Sequence, residues 1–300
     1  MRRLSLLLAL VPVVGLVELA LHQYFAARAP RQADYAALAP ALAKLKRPGV
    51  PVVVAPAWAE PLLRQAAPDA FPLVELARPD DSGFTRFLEV SLLGAVAPEL
   101  EGFATTQTEQ LGAFRISLRE NPRPDPTRFD FVGAVERGEV EVLTELDGER
   151  LPCQRVERPR AETGGLHGHV AYPRSRYECG RGRFVGVTLI DDAAYRPRRC
   201  VLAQPPTAGS VVLRFGAVPA TPRLVGFMGS SYFIARDDVK PELALTISEA
   251  ADPLLRRTAA GAEGWIRFEA RRPAEPGAVE VKLRRLTTDT ADFCFSLEAR

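Results

Sequence analysis

The stretch TGGLHGHVAYP, residues 163–173, holds two of the three histidines in the chain. If residues 166–171 are extended, His167 and His169 share one side of a strand, about 6.5 Å apart along it. Two neutral imidazoles so placed suit a zinc or other divalent ion, with Asp191 or its neighbour Asp192 supplying a carboxylate. The same letters also read as a glycine-rich turn entering a strand, because HxH alone is a weak pattern. The turn is the leading reading, with a calcium or zinc site on His167, His169 and Asp191 as the alternative.

Other polar groups invite the same weighing. Asp80 and Asp81 lie in RPDDSGF and, with Glu89, form a candidate acid/base or cation-binding set. Asp-Asp-Ser-Gly is also ordinary turn chemistry. Residues 174–199 are rich in arginine, including Arg174, Arg176, Arg198 and Arg199. A guanidinium suits bidentate contact with carboxylate or phosphate, so an anionic glycan or lipid headgroup is one reading and a solvated, ion-paired surface the other. Tyr172, Tyr177, Tyr195, Tyr232 and Trp265 fall in or near loops between strands. Sugars stack their C–H faces on such rings, and Tyr195 and Tyr232 are the better candidates. Trp265 begins a strand and reads as core. The named binding set is therefore Tyr195, Tyr232, Arg174, Arg176 and Arg198. No GxSxG, HExxH or Cys–His pattern marks a nucleophilic or metalloprotease centre, so no catalytic residue is assigned.

The four cysteines, Cys153, Cys179, Cys200 and Cys294, include no CxxC pair. That argues against a zinc ribbon or a thioredoxin-like motif. In an exported chain four cysteines allow two disulfides in three connectivities. The pairing Cys153–Cys179 with Cys200–Cys294 is preferred, against four free thiols.

Export is what the N-terminus suggests. In MRRLSLLLALVPVVGLVELALHQYF, Arg2 and Arg3 precede the uncharged run Leu4–Val17, and Leu4–Phe25 would measure about 33 Å as a helix. Glu18 lies toward the far end of that stretch, within reach of an interface. A cleaved signal peptide and an uncleaved anchor compete. The best small-x-small site, Ala27-Arg28-Ala29, is followed by Pro30, so the anchor is favoured. The arginines then orient residues 30–300 away from the cytoplasm. Of 39 basic residues, only Lys44, Lys46, Lys240 and Lys282 are lysine, which suggests a GC-rich bacterial genome. The net charge of +2 gives no global pull toward nucleic acid.

The elements that must position these residues follow from patterning. With 300 residues, 47% of them hydrophobic, the chain can build one large or two modest cores. Val50–Ala55 reads as a strand, Trp58–Ala67 as a helix and Pro72–Ala77 as a strand, a β-α-β order without a glycine-rich phosphate loop. FTRFLEVSLLG (84–94) and LGAFRISLREN (111–121) add two strands. After the proline-rich NPRPDPTR (121–128), strand follows strand: EVEVLTEL (139–146), RFVGVTLI (183–190), SVVLRF (210–215), ELALTIS (242–248), WIRFEA (265–270), AVEVKLRR (278–285) and DFCFSLEA (292–299). Most alternate with period 2. Phe293, Phe295 and Leu297 share one face, so Cys294 points to the other, and a Cys200–Cys294 bond would lie outside the main core or at an edge.

The stretches VVVAPAWAEPLLRQAAPDAFPLVELARPDDSGFTRFLEVSLLG and GAFRISLRENP resemble the exported C-terminal region of protein-mannosyltransferase-type membrane glycosyltransferases and related membrane-anchored bacterial proteins. DDAAYRPRRCVLAQPP and DFCFSLEAR resemble the β-sandwich part of the same proteins. The resemblance implies a carbohydrate-related envelope setting and transfers no catalytic residue.

The expected fold is α+β: a transmembrane helix at 1–29, a small α/β domain at 30–127 and an antiparallel, jelly-roll-like β-sandwich at 128–300. The expected protein sits in the bacterial inner membrane by a single pass, with its bulk in the periplasm. It binds a glycan or glycolipid without catalysis, or supports a membrane glycosyltransferase. A metal-dependent hydrolase and a protein-interaction scaffold are the alternatives.

Overall fold

The computed structural model describes every residue except 1, 159–161, 164–170, 181, 193–195, 231–241, 261–262, 274 and 288–292; for 2–11, 25, 28, 162–163, 171–172 and 230 it describes the backbone alone. His167, His169, Tyr195 and Tyr232 lie outside the described residues, and the side chain of Tyr172 is not described. The chain divides into two compact units: residues 1–71 with 86–120, and residues 72–85 with 121–300.

In the first unit, α1 (Arg2–Arg28) and α2 (Gln32–Leu45) precede β1 (Val52–Ala55), α3 (Glu60–Ala66), β2 (Arg86–Leu92), β3 (Ala104–Leu111) and β4 (Phe114–Glu120). The N-terminal segment is helical, but among the described residues no helix is long and apolar enough to cross a membrane. Most of the apolar run Leu4–Val17 falls in residues 2–11, of which only the backbone is described. The sheet order is β1-β2-β4-β3, with β1 parallel to β2 and the other pairs antiparallel. All four residues of β1 are buried, as expected for a strand covered on both faces. The edge strand β3, ATTQTEQL, is polar and mostly exposed. Tyr35 of α2 meets Phe114 edge to face at 5.0 Å.

The second unit opens with α4 (Leu73–Leu76). This corrects the strand expected at 72–77. A short apolar run does not separate strand from helix, and Pro72 fixes φ near the helical value while its carbonyl accepts from Glu75 and Leu76. Next come β5 (Phe129–Asp130), α5 (Phe131–Arg137), β6 (Glu141–Leu146), β7 (Glu149–Pro152), β8 (Gln154–Glu157), β9 (Glu162–Thr163), β10 (Ala171–Tyr172), β11 (Ser175–Glu178) and β12 (Phe184–Asp191). They are followed by β13 (Pro197–Ala203), β14 (Gly209–Val218), β15 (Arg223–Ser230), β16 (Glu242–Glu249), β17 (Asp252–Ala260), β18 (Ile266–Arg271), β19 (Gly277–Arg285) and β20 (Phe293–Ala299).

These strands make a sandwich. One sheet runs β18-β15-β20-β13-β12-β11-β8, with β5 also paired to β20; the other runs β17-β16-β19-β14-β6-β7. Their inner faces share one core: Val201, Leu224 and Phe295 from the first meet Val211, Leu245 and Val281 from the second. Phe131 stands edge to face with Phe215 at 4.7 Å and with Phe129 at 4.9 Å. Each fully buried phenylalanine contributes up to about 3 kcal/mol. The helix α5 starts at Asp130, whose carboxylate accepts from Val132 N, and stops at Gly138, which takes the left-handed conformation at φ 81°.

Both disulfides form as expected, Cys153–Cys179 and Cys200–Cys294. The second is not exposed at an edge. Cys200 and Cys294 are buried with Phe184, Ile190 and Leu202 in a small second cluster, against which Trp265 packs. The alternation along β13 and β20 puts this cluster on the face away from the main core.

Candidate functional site

The face of β20 that turns away from the main core carries Cys294, Ser296 and Glu298, and Arg300 follows in the same alternation. One edge of β20 pairs with β15 from Phe293 to Ala299. The opposite edge changes partner. It pairs with β13 at residues 293–295 and with β5 at residues 298–299. Ser296 sits at that hand-over, where β13 and β5 diverge.

A cavity of about 340 Å³ opens at this fork. Its walls come from α4 and the turn after it (Val74, Arg78, Asp80, Phe84), from the segment around β5 (Pro126, Thr127, Asp130, Val132), from Arg199 of β13, and from Ser296, Glu298 and Arg300. The wall segment is held by backbone and side-chain bonds. Arg199 N donates to Ala77 O, Arg198 donates to Arg78 O and Pro79 O, and the Asn121 amide donates to Ser82 O and Phe84 O.

Charge in the site is organised around Arg300, whose side chain is 1% exposed. Its two terminal nitrogens contact both oxygens of Asp80 at 2.8 and 3.0 Å, and its Nε donates to Glu298 at 2.8 Å. Asp125 lies 3.5 Å away. Burial opposes the guanidinium charge, but the hydrogen bonds and charges of Asp80 and Glu298 outweigh it and push the Arg300 pKa above its ordinary value. Both Asp80 oxygens are also used locally, by Ser82 N at 3.2 Å and Ser82 Oγ at 3.0 Å. Glu298 is pushed above the usual carboxylate range by burial; Arg300 pulls it down, and the nearby Asp80 charge adds to the rise. A carboxyl raised in the folded state binds protons that the unfolded chain has already released. Its contribution to stability is therefore present below the unfolded pKa and lost as pH rises through the folded one. Against Glu298→Gln, the native chain should gain relative stability as pH falls from 7 toward 4, measured by urea midpoints across that range. A constant difference would show that Glu298 titrates alike in both states.

The contact between Arg199 and Asp130 is longer. Arg199 contacts Asp130 Oδ2 at 3.4 Å and reaches Glu136 with its other terminal nitrogen. The buried Ser296 hydroxyl has no hydrogen-bond partner among the described residues, although buried polar atoms are ordinarily paired.

The residues singled out from the sequence are distributed as follows. Arg174 is exposed and pairs with Glu157 at 3.3 Å. Arg176 is buried, 3.3 Å from Glu178 and with its guanidinium carbon 5.8 Å from the Phe184 ring centre. Arg198 pairs with Asp192 at 2.9 Å and lies 6.0 Å from the Trp265 ring centre, bracing the cavity wall without lining it. Trp265 stacks on Phe227 at 6.3 Å between centroids. Asp191 is exposed at the end of β12, opposite Pro197. Among the described residues no three His, Cys, Asp or Glu side chains are grouped to hold a metal ion. Glu89 belongs to the first unit, where it accepts from Ala97 N at 2.8 Å. Asp80 is in a turn, as turn chemistry suggests, and it is also the main partner of Arg300. Asp130, Ser296, Glu298 and Arg300 were not singled out from the sequence. The alternation in DFCFSLEAR was the signal that placed the last three on one face.

No protein-family model matches the chain, and no curated protein matches it. Among solved structures, CBM51 from Clostridium perfringens GH95 in complex with methyl-galactose is 8% identical with a TM-score of 0.29, over 48% of this chain and 95% of that one. A cleaved adhesin domain of Lys-gingipain from Porphyromonas gingivalis is 18% identical with a TM-score of 0.28, over 40% and 86%. CBM51-2 with GlcNAc and INT domains from Clostridium perfringens ZmpB is 8% identical with a TM-score of 0.30, over 66% and 40%. Likeness at that level carries no argument about what this chain binds.

Proposed function

We propose that this chain is an exported, non-catalytic carbohydrate-binding module of the bacterial envelope, with its site in the cavity at the β13–β20–β5 fork. The observation that carries the reading is the lining of that cavity. Carboxylates and guanidinium groups, planar and able to hold two hydroxyls at once, stand beside the apolar walls of Val74, Phe84, Pro126 and Val132. That mixture suits a ring that is apolar on its faces and hydroxylated at its rim.

Catalysis is not favoured by the same geometry. Asp80 and Glu298 are both committed to Arg300, and neither is poised to exchange a proton with a substrate. Export is supported by the two disulfides, which persist in oxidising compartments, and by Arg2 and Arg3 ahead of an apolar stretch. On this reading the N-terminal segment directs the chain to the periplasmic side of the inner membrane.

The test is a bacterial glycan array probed with the full chain and with Asp130→Asn and Arg199→Gln. Retention of a defined set of glycans by the native chain, reduced at least tenfold in both variants, is expected. An array that retains nothing removes the proposal, and equal retention of the variants removes its placement at Asp130 and Arg199. Asparagine is itself a good helix cap, so Asp130→Asn should leave α5 intact.

A further inference from the structure

Resting on the carbohydrate reading, we infer that the pocket takes one terminal, uncharged sugar, gripped through adjacent hydroxyls by Asp130 and Arg199. Size argues for a single ring. The cavity is about 340 Å³, at the low end of ligand pockets, which run from about 300 to 1,000 Å³. Charge argues for a neutral one. Each lining arginine already has a carboxylate: Arg78 has Asp81 at 2.6 Å, Arg300 has Asp80 and Glu298, and Arg199 has Asp130 and Glu136. An anionic sugar would have to displace one of these acids and strand it, a cost that discriminates against charge.

Remaining hydrogen-bonding capacity identifies the gripping groups. Asp80 and Arg300 are saturated by each other and by Ser82 and Glu298. Asp130 Oδ2 and the Arg199 terminal nitrogen stand only in loose contact at 3.4 Å, an acceptor beside a donor. A vicinal diol satisfies both: one hydroxyl donates to Asp130 while its neighbour accepts from Arg199.

The experiment is calorimetric titration of the full chain with the methyl pyranosides of glucose, galactose and mannose, then with methyl glucuronide and methyl galacturonide. An oligosaccharide blocked at its non-reducing end completes the panel. At least one neutral hexoside should bind, with the matching uronoside at least tenfold weaker and the blocked chain not bound. Asp130→Asn and Arg199→Gln should each weaken binding about tenfold, the size of one or two hydrogen bonds, without shifting the urea midpoint by much. Preference for the uronosides, or binding of the blocked chain, overturns the terminal neutral sugar and leaves the carbohydrate reading standing. Unchanged affinity in both variants overturns the assignment of gripping residues. No binding to any sugar here, together with a blank array, removes both readings.

Discussion

Replacing Asp80 with alanine should lower the stability of the second unit by about 3 kcal/mol, because it strands a buried guanidinium. Arg300 is 1% exposed and holds both Asp80 oxygens. Water cannot readily take their place. Glu298 and Asp125 remain as partners, which keeps the loss toward the lower end of what breaking a buried pair costs. Asp80→Asn, which retains an acceptor, should lose less. Urea unfolding followed by Trp265 fluorescence in a Trp58→Phe background reads this unit alone. A change below about 1 kcal/mol for Asp80→Ala would mean that the remaining acids suffice and that Asp80 serves only its turn.

The second large effect belongs to the disulfides, and the two should differ. Cys200–Cys294 spans 94 residues, Cys153–Cys179 only 26. The longer closure restricts the unfolded chain more, and its removal should cost about 4.5 kcal/mol against about 3.5 for the shorter one. Accessibility separates them further. Both sulfurs of the long bridge are buried with Phe184, Ile190 and Leu202, whereas Cys153 is partly exposed. Graded reduction of the native protein should therefore open Cys153–Cys179 first, read by mass spectrometry after thiol alkylation. The long bridge should resist until the sandwich unfolds. It also joins β13 to β20 at the base of the fork, so its loss should weaken sugar binding as well as stability. Simultaneous reduction of both bridges at low reductant would contradict the burial argument.

How much of this was written legibly in the sequence depends on what each strand packs against. ELALTIS, AVEVKLRR and DFCFSLEA alternate because one face meets the core and the other does not, so period 2 reveals them. The strand RLVGFMGS hides, because Gly226 and Gly229 break the pattern. A Cβ at Gly226 would meet the Phe268 ring at 2.2 Å, and one at Gly229 would meet Gly264 O at 2.4 Å. PRRCVLA hides for another reason: its charged start belongs to the cavity wall and the salt bridges around it, its apolar end to the two cores. The helix α5 is short and buried along most of its length, so no amphipathic stripe marks it. The disulfide pairing was legible as a preference among three connectivities.

The site itself was the least legible part. Its polar groups come from four separate stretches: the turn at 80, the cap at 130, the strand start at 199 and the stripe 296–300. None of these looks unusual alone. Asp80 follows turn chemistry, Asp130 follows helix-cap chemistry and Arg199 is one of several arginines. Only the register of β20, which leaves β13 for β5, brings them together.

The pairing of Asp80 with Arg300 across 220 residues also sets a timetable for biogenesis. At a synthesis rate of about 5 to 20 residues per second, Asp80 leaves the ribosome some 10 to 40 s before its partner is made. For about the first half of that interval the 72–85 segment has neither β13 nor β20 to rest on, and for the rest it has β13 alone, although residues on both sides of it belong to the other unit. The nascent chain must carry a loose loop within a stretch that is otherwise ready to fold. The pocket exists only once β20 has been made and has paired with β13 and β5.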